Sequence, residues 1–374
     1  MSEWGVHLPA AIVEALVIFW RPKTIDAIRE FSDAIIIDPI THQMLFKESS
    51  EKKNFKKIGY PEEVNQESIY SNSEYRKNHI IVPAVNVQIE AGADFIVAPY
   101  FHAEDTDSIR FGVNITLITE TLRYLEEIDV SKPVLAKIFL GKGVLERKTE
   151  VNYIVDRYRD DFSEKLFGYI LVFDKFDGRS ASEDSLLNLA EMGFQLSEKG
   201  KVIYQHMGSF GEVLCAIGMT GFSSGLGDGD SITVEHLESS PAGFNNKTKK
   251  TYIPEIFYKM NDEAVKQIGY SCDCPACSGS RPLDNISKKK HFFYRKDILM
   301  NALANMEKSE RVDFMRSLLY EGIERADRYN REYGLDIKTN HLRRWLAVLE
   351  LMEHWTYEED DNLDELLEEL ERPE

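Results

Sequence analysis

Gly168-Tyr-Ile-Leu-Val-Phe173, Val202-Ile-Tyr-Gln-His-Met207 and Ile217-Gly-Met-Thr-Gly-Phe222 are three short apolar runs, with helical spacing over Ala181–Lys199 and Phe210–Ala216 between them. Runs of β-branched and aromatic residues without polar alternation belong to strands buried on both faces, as a parallel sheet requires. Working outward, the same rhythm gives Ala15–Trp20, Ala34–Pro39, Phe95–Phe101 and Val134–Gly141 upstream and Tyr252–Tyr258 downstream, with another helical segment at Thr116–Ile128. Eight strands alternating with helices predict an α/β fold, a (β/α)8 TIM barrel. A doubly wound open sheet is the alternative, and Ala10–Trp20 also suits a helix.

The expected organisation is a barrel over residues 1–260, a zinc-binding subdomain over 261–310 and a helical C-terminal extension over 311–374. Lys47–His79 interrupts the rhythm: it is polar, too long for an ordinary βα loop, and on the side where barrels build their sites. After the cysteines the chain is helical throughout, with Leu363, Leu366, Leu367 and Leu370 at helical spacing in an acidic end. That end holds much of the net charge of −19, with ten acidic residues and one arginine from Trp355 onward. Such a surface does not attract a polyanion without a local basic patch. Lys52-Lys53, Lys56-Lys57 and Lys288-Lys289-Lys290 are short runs of the kind that more often mark solvated loops. The apolar stretch Leu8–Trp20 contains Glu14 and is too short to span a bilayer, so a cytoplasmic protein with no membrane contact is expected.

Three of the four cysteines fall in Cys272-Asp-Cys274-Pro-Ala-Cys277. Three thiols this close cannot all form disulfides with one another, whereas a turn carrying Pro275 can point all three at a tetrahedral zinc ion. Zinc sites of this type hold a fold together, so a structural Zn2+ is expected. Cys215, in a helical segment, reads as core.

In a barrel, the informative positions are polar residues at the C-terminal ends of strands. Asp38 ends one run and is followed by His42 and Gln43. His102 follows the third strand, Asp174 the fifth, and Gln205-His206 ends the sixth before Gly208. Asp38 against an apolar wall suits a general base or a hydrogen-bond partner for a heterocycle. Gly225-Leu-Gly227-Asp228-Gly229 lacks the lysine of a phosphate-binding loop and reads as a surface turn.

Ala34–Gln43, Glu90–Pro99, Lys201–Phe222 and Cys272–Cys277, in that order, resemble the tRNA-guanine transglycosylase family, zinc-bearing barrels that exchange a guanine for a 7-deazaguanine base. The resemblance implies a histidine on the following helix as fourth zinc ligand. His291 is the first candidate, His341 the second and Asp273 the third. It also implies a carboxylate nucleophile at the end of the seventh strand. The matching place reads Gly221-Phe222-Ser223-Ser224-Gly225, without one. Asp174 and Asp228 are the candidates to replace it, with His42, Gln43, His102, Gln205, His206 and Gly208 around the substrate. Two functional expectations follow: a transglycosylase-like enzyme acting on a base in tRNA or DNA, or a non-catalytic barrel. The latter would form a homodimer, a heterodimer with a related active barrel, or a complex with nucleic acid. Unrelated barrel chemistry with a structural zinc is a third.

Overall fold

The computed structural model describes residues 7–162, 164–223, 231–238 and 250–352. Seven parallel strands follow the order of the chain in a nearly closed TIM-like barrel of the α/β class. They are β1 Leu8–Glu14, β2 Ser32–Asp38, β3 Phe95–Val97, β4 Val134–Gly141, β5 Gly168–Asp174, β6 Lys201–Gln205 and β7 Gly221–Ser223, with helices between them. Every residue of β4 and β5 is buried, which explains why both read as unbroken apolar runs. Their ladder pairs Leu135 with Gly168 and runs to Gly141 with Asp174.

Side chains alternate along a strand, so one core cluster identifies the face that points inward. Ile36, Val97, Leu135, Phe139, Ile170 and Val172 pack together, with Ile12 and Ile203 against them. Two residues further along the same strands lie Glu14, Asp38, Lys137, Asp174 and Gln205. Alternation therefore places five polar side chains on the interior face, mostly at its C-terminal end.

Three strand expectations need correction. Ala15–Trp20 is a helix and the first strand is Leu8–Glu14, one element earlier. Ile217–Phe222 contributes only Gly221–Ser223, because Ile217 closes the helix Phe210–Ala216 and Gly218 then turns with φ +106°. Tyr252–Tyr258 is not an eighth barrel strand. Lys250–Ile253 (β8) pairs antiparallel with Tyr258–Asn261 (β9) in a separate two-stranded sheet. Pro254 and the left-handed Phe257, φ +49°, reverse the chain between them. The polar excursion after β2 folds into short helices, among them Gln66–Ser71 and Ser73–Arg76, capped by the side chains of Asn65 and Asn72.

Two compact units interleave along the chain. One comprises Met1–Phe176, Gln195–His206 and Ser231–Phe244, and contains β1 to β6. The other comprises Asp177–Phe194, Met207–Asp230 and Asn245–Glu374, with the β8–β9 hairpin, the cysteine turn and the helices Asn285–Ala304 and Lys308–Tyr333. Among the described residues no helix is long and apolar enough to cross a membrane.

Candidate functional site

In the second unit the cysteine turn is built by its own backbone. Cys272 N–H donates to the Ser280 carbonyl and Gly279 N–H returns to Cys272, while Cys277 and Ser278 both donate to the Cys274 carbonyl. Ser278 and Gly279 take positive φ to close the loop. A capping box on Asp284 and Ser287 then starts the helix Asn285–Ala304, and its second turn delivers His291. His291 Nδ1 lies 3.4 Å from both Cys274 Sγ and Cys277 Sγ. Its Nε2 is 2.8 Å from the Tyr252 carbonyl oxygen, so Nε2–H donates there and Nδ1 presents its lone pair to the sulfurs.

Cys272, Cys274, Cys277 and His291 are all buried, and their donor atoms lie within 4.8 Å of one another, so together they could hold a metal ion. The donor set itself calls for one. Burial, then the neighbouring Cys274, push the Cys277 thiol well up, and clustered thiolates need a cation to compensate them. His341 is elsewhere, its ring 5.0 Å from Trp345 and 6.1 Å from Tyr258, and neither it nor Asp273 joins the cluster.

The first unit gathers most of the other predicted residues at the C-terminal end of the barrel interior. Asp38 is buried. Its Oδ1 accepts from Ile40 N–H at 2.9 Å and Tyr100 O–H at 2.8 Å, and Lys137 Nζ is 2.5 Å from Oδ2. Burial would raise this carboxyl, but Lys137, His42 and these hydrogen bonds hold it below the usual range. Lys137 was not foreseen, although it is the one charge in Val134–Gly141 and shares the parity of Leu135 and Phe139. It also lies 4.7 Å from the Tyr100 ring centroid.

His42 and Gln43 are buried on the 3-10 helix Thr41–Leu45 just beyond β2. His42 stacks on Tyr100, and both His42 and His102 meet Phe139 edge-on. Burial pushes His42 down to about 3, and it also lowers His102 in spite of Asp174 and Glu104 nearby. Both imidazoles are therefore neutral at pH 7. His42 Nδ1, His102 Nε2 and Gln205 Oε1 are buried and lack a hydrogen-bond partner. Asp174 accepts from Val234 N–H at 2.7 Å. Glu14 is solvent-accessible, yet the surrounding protein and then the Asp38 carboxylate push its carboxyl up.

His206 is half-buried just past β6 with φ +64°. Gly208, φ +56°, belongs to the second unit. Asp228 and the acidic C-terminal stretch lie outside the described residues. The interior group thus combines a locked ion pair with unpartnered neutral donors and acceptors, an arrangement that recognises an uncharged polar ring better than an ion. No protein-family model matches the chain, and no curated protein matches it. Fold and sites together define a TIM-like barrel carrying a buried Cys3His metal-binding cluster.

Proposed function

We propose that this protein is a transglycosylase-like enzyme that exchanges a guanine-type base in a nucleic acid at the barrel mouth, stiffened by a structural zinc in the Cys3His cluster. The observation that carries this reading is the set of three buried polar atoms without partners, on His42, His102 and Gln205, beside the inward-facing Asp174. A neutral heterocycle supplies the complementary donors and acceptors. Asp174 supplies a carboxylate at a strand end, as capture of a ribose carbon requires once the base leaves.

Asp38 takes a different part from the one its position suggests. With both oxygens engaged and its pKa lowered, it is a poor proton acceptor and acts by orienting Tyr100 and Lys137. Zinc is the metal that Cys3His donors select in tetrahedral structural sites. When bound it would cross-link the cysteine turn to the helix bearing His291.

The test is incubation of purified protein with labelled guanine and either tRNA or DNA, followed by trapping of a covalent protein–nucleic acid adduct. The reading requires label incorporation that is lost in Asp174→Ala. Absence of both incorporation and adduct with every nucleic acid tried rejects it. The second reading, a non-catalytic barrel that partners a related active one, is favoured by the locked Asp38 and by the lack of a carboxylate in Gly221–Ser223. It expects a stable homo- or heterodimer in solution and no incorporation.

A further inference from the structure

A cavity of about 650 Å³, including its open mouth, lies in the second unit between the helices Asn285–Ala304 and Lys308–Tyr333. Arg295, Leu299 and Ala302 are spaced i, i+4, i+7 on the first helix, and Phe314, Leu318 and Glu321 repeat that spacing on the second. Each triplet makes one stripe, and both stripes line the cavity. Leu299, Ala302, Phe314 and Leu318 are only half-buried, so the apolar surface around the cavity is left partly uncovered. His291 stands one turn before Arg295 on the same stripe, which ties the cavity wall to the metal-binding cluster.

One end of the cavity is polar and electrically compensated. Arg295 Nη2 lies 3.5 Å from Glu255 Oε1, and Lys296 pairs with Glu212 at 2.9 Å. Glu255 Oε2 and Arg295 Nε are both buried and lack hydrogen-bond partners. The cavity therefore offers one free acceptor and one free donor, on two residues that already neutralise each other. A charged head group would bring an ion with no counter-charge and lose its hydration. A carboxamide or lactam edge brings one N–H and one C=O side by side, which matches what is missing.

We infer that this cavity binds a neutral small molecule with an apolar body and an amide or lactam edge. The N–H donates to Glu255 Oε2, the C=O accepts from Arg295 Nε–H, and the body lies against Leu299, Phe314 and Leu318. This site is separate from the barrel interior and does not depend on the reaction proposed there.

The experiment titrates the full-length, metal-loaded protein with cyclohexanecarboxamide, cyclohexanecarboxylate and cyclohexylmethylamine by ligand-observed NMR. The carboxamide is expected to bind saturably with Kd on the order of 1 mM, as befits so few heavy atoms. The two ions should bind at least about tenfold more weakly, since each leaves one buried group unpaired. Leu299→Trp fills the apolar end and should abolish binding, and Ala302→Phe is the second blocking variant should the first fail to fold. Glu255→Leu should weaken the carboxamide about tenfold or more. Absence of saturable carboxamide binding to the unmodified protein overturns the inference, as does equal binding of the three probes. So does carboxamide binding that survives a folded blocking variant.

Discussion

Lys137 Nζ and Asp38 Oδ2 sit 2.5 Å apart with both side chains almost wholly enclosed, which makes an ion pair between β4 and β2 part of the barrel's interior. A buried pair of this kind gains little over an apolar pair, but breaking it strands a charge. Lys137→Met should therefore cost about 3–5 kcal/mol of unfolding free energy, read from urea denaturation. The double variant Asp38→Leu, Lys137→Met should regain most of that loss, because no uncompensated charge remains. A single variant as stable as the unmodified protein would show that the pair is not closed in solution.

The second prediction separates His291 from His341. The unmodified protein should carry about one zinc ion per chain by elemental analysis, as four ligands imply. Cys274→Ser and His291→Ala should each lose most of that metal and melt at lower temperature, since binding free energy is part of the folding free energy. His341→Ala should keep its metal even where it lowers stability, because its ring packs on Tyr258 and Trp345 and not on the cysteines. Full metal retention in His291→Ala would remove it as a ligand.

The parts of the fold that were legible in sequence are those where one force acts alone. Val134–Gly141 and Gly168–Phe173 are buried on both faces, so their apolar runs could be little else, and the strands match to within a residue. Ala15–Trp20 is just as apolar, but a six-residue run does not separate a strand from a helix that packs on one side. Tyr252–Tyr258 has strand composition. Its pairing was decided by Pro254 and the left-handed Phe257, a turn that an apolar count does not register. Among site residues, the cysteine turn and His291 were legible because metal ligands need a fixed spacing. Lys137 was not singled out: a lone lysine in an apolar run reads as noise until the alternation of β4 sets it on the same face as Leu135. The opposite charge of Asp38 comes from a strand far away in sequence.

Two buried histidines give the third prediction, a fall in stability under mildly acidic conditions. His42 is pushed down to about 3 and His341 to about 4, in both cases chiefly by burial. Their folded pKa values lie below the unfolded value of about 6.5, so the unfolded chain binds the extra protons. Their contribution is complete above that value and is lost as pH falls through it. Each should remove about 1.4 kcal/mol per pH unit between about pH 6 and pH 4. Asp38, whose carboxyl is lowered, adds to the loss only further down, below its unfolded value of about 3.9. Urea midpoints across this range in His42→Leu and His341→Leu should show a shallower slope than the unmodified protein. An unchanged slope in both would mean that neither ring stays neutral in the fold.

The last prediction concerns the joint between β5 and β6. Gly168 is registered against Lys201, and a Cβ on Gly168 would fall inside the van der Waals shell of the Lys201 carbonyl oxygen. The obstacle is backbone, which cannot swing aside as a flexible side chain can. The strands must separate or the ladder must slip, and the hydrogen bond from Lys201 N–H to the Phe167 carbonyl goes with it. Gly168→Ala should therefore cost about 2–4 kcal/mol, a large penalty for one methyl group. Gly143, in the 3-10 turn after β4, has nothing within 4 Å of the same position, and its φ is not in the left-handed region. Gly143→Ala should stay within about 0.5 kcal/mol of the unmodified protein. Equal effects of the two substitutions in chemical denaturation would mean that β5 and β6 do not approach as closely as the register requires.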